Sequence, residues 1–142
     1  MEKSELRKAN GDVYFEAIRK PDNTYILVKW IGVQSLETVV MGCNHLLRML
    51  REKPCRALLN SNQELIGPWE VAVPYMVSKW VPTACQLGLQ YFAHVLSPGI
   101  FGKRSYEVFR RQIQEHLPQG KLRLSSFEEE EMAETWLLLH LN

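Results

Sequence analysis

Three cysteines are too few, and too far apart, to staple this chain. Cys43, Cys55 and Cys85 are odd in number and form no C-x-x-C pair, so they read as reduced thiols rather than a disulfide framework. The four histidines show no ligand spacing and no G-x-S-x-G elbow occurs. No cysteine has a local activator, so neither a metal site nor nucleophilic catalysis has support in the residues. No apolar stretch approaches the ~20 residues that span a bilayer. A formal net charge of +1 gives the whole molecule no electrostatic footprint for nucleic acid or an anionic membrane. Internal repeats and low-complexity segments are lacking. The opening residues, Met1 to Lys8, carry charges with no apolar region behind them, unlike a secretory leader. These absences leave a cytoplasmic protein that is not an enzyme, holds no cofactor or metal, and inserts in no membrane as the expectation.

What is present is globular material. The 142 residues are 46% apolar and 23% charged, ordinary values, and suit one domain. A domain of that size buries ~68–70% of its unfolded surface and needs no staple. Residues 1–11 are polar and expected to fray, leaving 12–142 as a single domain.

Val13 to Ile18 and Thr24 to Ile31 read as strands joined at the Lys20-Pro21-Asp22-Asn23 turn. Leu36, Val39, Val40, Cys43, Leu46, Leu47 and Leu50 repeat at helical spacing, with Ser35 as N-cap, predicting a helix over 35–52. Cys55 to Leu59 reads as a central strand and Asn60 to Pro68 as a loop. A second helix is predicted over 69–87, interrupted or delayed by Pro74 and Pro82, with Gly88 as its stop. Leu89 to Leu96, apolar on both faces apart from Gln90 and His94, reads as a strand covered on both sides. Ser105 is expected to cap a third helix, Lys121 to Leu124 to form a short edge strand, and Ser126 with Glu129 to box a final helix. The order β-β-α-β-α-β-α-β-α, about five strands and four helices, implies an α/β fold with a mixed sheet.

Trp30-Ile31-Gly32 at the end of the second strand, Gly67-Pro68-Trp69, Trp80-Val81-Pro82 and the run from Gly88 through Tyr91, His94 and Val95 to Ser97 carry a resemblance. They resemble the SpoIIAA-like branch of the STAS superfamily (sulphate-transporter and anti-sigma-factor-antagonist domains), in particular its small single-domain members of Bacteroidetes-type bacteria. The likeness extends over about Val13 to Leu141. It implies a regulatory module that binds partner proteins, with lipid or nucleotide binding in some relatives. It also implies a phosphorylation position at Ser61, although the Asp-Ser motif that flanks such a serine is absent and the loop is longer.

Several positions admit two readings. His94 lies near the carboxyl end of its strand, where open α/β sheets present ligands. It is either a pocket histidine working with Ser97 and the Asn60–Asn62 loop, or a core histidine satisfied by its neighbours, as buried polar groups usually are. Asn60, Ser61 and Asn62 could hold an anion before a helix N-terminus, or serve as turn residues. Trp69 and Trp80, nearly superposed on a helical wheel, are core anchors or, if exposed with Tyr75 and Met76, a recognition stripe for a partner or a second copy. Gly99 to Ser105 fails the spacing of a phosphate-binding loop. Lys103, Arg104, Arg110 and Arg111 fit a solvated helix face, and Glu128 to Glu131 fit a helix dipole better than a metal site. The leading expectation is an interaction module working through the second helix, with a homodimer as one form. The alternative is a small-ligand domain with a pocket near His94 and Asn60–Asn62.

Overall fold

The computed structural model describes residues 2–142. Its centre is a six-stranded mixed sheet in the order β1-β2-β3-β5-β7-β8. The strands are β1 (Glu2–Arg7), β2 (Val13–Arg19), β3 (Ile26–Trp30), β5 (Ala57–Ser61), β7 (Tyr91–Val95) and β8 (Arg123–Phe127). The first three pair antiparallel and the rest add in parallel. Two dipeptides, β4 (Gly32–Val33) and β6 (Leu65–Ile66), make a separate parallel pair just past the ends of β3 and β5.

Alternation along the strands sorts the core into two layers. Phe15, Ile26, Val28, Trp30, Leu58 and Phe92 pack with α1 (Leu36–Glu52), the interrupted helical run over 70–86, and α4 (Ile100–His116). Tyr25, Leu27, Ala57, Leu59, Ala93 and Val95 point the other way, where Ala133 and Leu137 of α5 (Glu130–Leu141) cover them. The double coverage expected of the Leu89–Leu96 strand is therefore present.

Helix α1 starts where its sequence places it. The Ser35 side chain accepts from the Thr38 backbone, and the Thr38 hydroxyl accepts from the Ser35 N–H. Gly42 sits on the buried side of α1, where an added Cβ would fall 2.4 Å from the Trp30 ring and 2.8 Å from Phe15. Only glycine lets this helix and the sheet come so close.

The second helix shows both effects of its prolines: regular helix starts at Val73 with Pro74 in its first turn, and the run is interrupted just before Pro82. A 3₁₀ turn (Glu70–Ala72) leads into α2 (Val73–Tyr75), a π-helical turn (Met76–Trp80) and α3 (Val81–Gln86). Pro82 has no N–H to give the Ser78 carbonyl, and a wide turn just before it absorbs the mismatch. The Ser78 and Thr83 hydroxyls donate to the Pro74 and Lys79 carbonyls at 2.7 and 3.0 Å.

Four expectations are corrected. Residues 2–7 do not fray but form edge strand β1, whose charged alternation contains one apolar side chain, Leu6, to signal it. The central strand runs on through Asn60 and Ser61 instead of yielding to a loop at Asn60. Helix α4 begins at Ile100, so Ser105 is an interior, fully buried residue and no cap. Ser126 belongs to β8, leaving Glu129 as the N-cap residue of α5, without a side-chain cap. The strand count also rises from about five to eight, through β1 and through β4 and β6, whose two residues are too short to show a period.

Candidate functional site

Asn60 and His94 are register partners, each one residue from the carboxyl end of β5 and β7. Both point to the layer of α1 and α4, and both are buried. The Trp30 indole N–H donates to Asn60 Oδ1 at 2.8 Å. An indole can only donate, so this contact fixes the orientation of the Asn60 amide. Its Nδ2–H then donates to His94 Nδ1 at 3.2 Å and to Asn62 Oδ1 at 3.3 Å. His94 Nδ1 is thereby the acceptor, and the ring proton lies on Nε2.

The imidazole is enclosed by aromatic rings. Tyr106 of α4 stacks on it at 4.7 Å between centroids, and Trp69 leans against it at 5.5 Å. Burial pushes the His94 pKa down to about 3, because nothing within the fold replaces the hydration an imidazolium would lose. Burial likewise pushes the Tyr106 phenol up to about 12. Trp69 is held from its backbone, whose N–H donates to Ser105 Oγ at 3.1 Å. That bond is what the interior serine of α4 does.

Asn60, Asn62, Trp69 and His94 line one cavity of about 20 Å³, room for a single water-sized group,. Its remaining wall is apolar and includes Val39, Leu65, Met76 and Phe109. Among the described residues, His94 Nε2 and Trp69 Nε1 have no hydrogen-bond partner. Both are donors. No lysine, arginine or carboxylate lines the cavity.

The other candidates lie elsewhere. Ser61 shares the strand face that α5 covers and is 3% exposed, so the hydroxyl that the resemblance marks for phosphorylation is closed to a kinase in this fold. Ser97 lines a separate surface cleft with Gln63, Lys103 and Glu128. Its Oγ lies against the first turn of α4, 2.2 Å from where a Cβ on Gly102 would stand. Trp80 is 1% exposed, with its indole N–H donating to the Cys43 carbonyl at 3.0 Å. With Trp69 and Met76 also buried, the second helix offers no aromatic recognition stripe. Both tryptophans are core anchors.

Sequence reasoning brought His94, Trp69, Asn60 and Asn62 to one place and missed Trp30, Tyr106 and Ser105. Trp30 left one usable signal: a buried indole needs an acceptor, and Asn60 shares its sheet face. Tyr106 and Ser105 left none, since α4 carries no mark of which side chains reach β7.

A donor pair in an uncharged cavity suits recognition. At a pKa of about 3 the imidazole is a poor general base near neutrality, and its free nitrogen carries the proton. No hydroxyl or thiol lines the cavity, and burial raises the pKa of all three cysteines. Among the described residues no group of three His, Cys, Asp or Glu side chains is placed to hold a metal ion, and no helix is long and apolar enough to cross a membrane.

No protein-family model matches the chain, and no curated protein matches it significantly. The fold and the site define a mixed-sheet α/β domain with a small cavity at its strand ends.

Proposed function

We propose that this domain is a non-enzymatic binding module that holds a small ligand in the cavity between β5, β7 and α4. The observation that carries the reading is a pair of buried N–H groups without an acceptor from the protein, His94 Nε2–H and Trp69 Nε1–H, on two rings that line this cavity beside Asn60 and Asn62. Buried donors are nearly always satisfied in folded proteins, and leaving one unpaired costs ~1–3 kcal/mol. The site also lies where open α/β sheets hold ligands. A space of 20 Å³ is far below the ~300 Å³ of an ordinary ligand pocket. Binding therefore displaces part of the wall, with Leu65 of the two-residue strand β6 and the unbranched Met76 as the side chains that yield. Native mass spectrometry of the full chain, purified without denaturation, tests the reading. One small molecule retained per chain is the expected result; a bare chain whose melting temperature no small molecule raises would contradict it.

A second reading, a STAS-like interaction or self-association module, is favoured by a different observation. Val33 and Ile66 are register partners in the β4–β6 pair and stand 60% and 62% exposed. Adjacent apolar side chains left in water are a feature of contact surfaces. Light scattering on the native chain and on Ile66→Lys tests it: a dimer that the substitution dissociates supports this reading, and a native monomer argues against self-association.

A further inference from the structure

We infer that the cavity selects the uncharged acceptor oxygen of an otherwise apolar molecule, a ketone, aldehyde or ester carbonyl, and rejects carboxylates and phosphates. The inference rests on the binding reading above and deepens it.

The chain of hydrogen bonds decides the polarity of what can enter. Trp30 donates to Asn60, and Asn60 donates to His94 Nδ1, so the nitrogen left without a partner on this lining residue is a donor. Trp69 presents a second donor, also buried and without a partner among the described residues. An sp² oxygen has two lone pairs and accepts from both. A donor group such as an amine would leave both of these N–H groups unpaired, since the Asn60 and Asn62 carbonyls already accept from Trp30 and Asn60.

The absence of cations among the lining residues decides the charge. A carboxylate or phosphate would give up its hydration for two neutral donors and no counter-charge, which costs far more than those bonds return. His94 cannot supply the charge, because its one free nitrogen already carries a proton and its rings of contact are Tyr106, Trp69 and Phe92, none of them cationic. A neutral carbonyl carries a much smaller desolvation cost. The size of the cavity, about 20 Å³, fits the oxygen itself, and Val39, Leu65, Met76 and Phe109 are the surfaces against which an alkyl chain would pack.

The probe pair is 2-hexanone and hexanoate, of equal carbon number, titrated at pH 7 into the ¹⁵N-labelled full chain. The Trp69 indole N–H resonance is the readout, assigned by its loss in Trp69→Phe. Expected is a saturable shift with 2-hexanone, no shift with hexanoate, and about tenfold weaker 2-hexanone binding by Trp69→Phe, followed there at the Trp30 indole and the backbone amides of residues 60–62, the effect of one buried hydrogen bond. Saturable binding of hexanoate with none of 2-hexanone would overturn the carbonyl assignment and leave the binding reading standing. No saturable response to either probe, with one ordered water on the two donors in a crystal structure, would overturn both. Should Trp69→Phe fail to fold, the native chain's preference between the two probes decides the matter, with indole assignments taken from triple-resonance spectra.

Discussion

Acid should weaken this fold through one buried side chain. His94 has an ordinary pKa of 6.5 when exposed and is held down to about 3 by burial. Above pH 6.5 the imidazole is neutral in both the folded and unfolded chain, and contributes no pH dependence. Below 6.5 the unfolded chain takes up a proton that the folded chain refuses, so stability falls as pH drops from 6.5 towards 3. The slope for one proton is about 1.4 kcal/mol per pH unit, which gives a loss of about 2 kcal/mol by pH 5. That is a large share of the ~5–15 kcal/mol that holds a typical domain. The ring's contacts, Asn60, Trp69, Phe92 and Tyr106, bring no charge that would oppose the effect. Urea unfolding at pH 7, 6 and 5 on the native chain and on His94→Phe isolates it, since every other titrating group contributes to both. The native chain should lose about 2 kcal/mol more than the variant over that range, and the His94 ring resonances should stay at their neutral positions in the folded protein down to pH 5. Parallel stability curves, or a His94 ring that titrates near 6.5 while the protein remains folded, would refute the reasoning.

Three further outcomes are expected. Gly42→Ala should destabilise by about 1–3 kcal/mol in urea unfolding: the methyl meets Trp30 at 2.4 Å, and overpacking of that kind outweighs the ~1 kcal/mol that alanine gains in a helix. Asn60→Leu should cost about 2–3 kcal/mol, because Trp30 Nε1–H and His94 Nδ1 both lose their partner,; the melting temperature and the Trp30 indole resonance check it. A kinase that modifies a peptide spanning residues 55–68 at Ser61 should leave the folded chain unmodified by intact mass, since Ser61 is 3% exposed beneath α5. Modification of the native fold at that position would show that β5 opens.

Local signals in the chain establish the mixed α/β class, the helix capped at Ser35, a second helix delayed or interrupted at its prolines, and the alternation that turns His94 one way and Ala93 and Val95 the other. Each is a local property: a period, a cap, a missing N–H. Such signals do not show edge strand β1, whose single inward apolar residue makes no pattern, nor that β5 continues through Asn60 and Ser61. Those residues have turn chemistry alone and become strand because β3 and β7 pair with them on either side. The site divides the same way. His94, Asn60 and Trp69 stood out as polar or aromatic residues in apolar surroundings. That Trp30 orients Asn60, that Asn60 fixes the His94 proton on Nε2, and that Ser105 fastens Trp69 beside it follow from packing across the folded chain. The same packing turns Ser61 and Ser97 away from that cavity. Strand register and helix docking set these relations across 30 or more residues of chain, and no local pattern carries them.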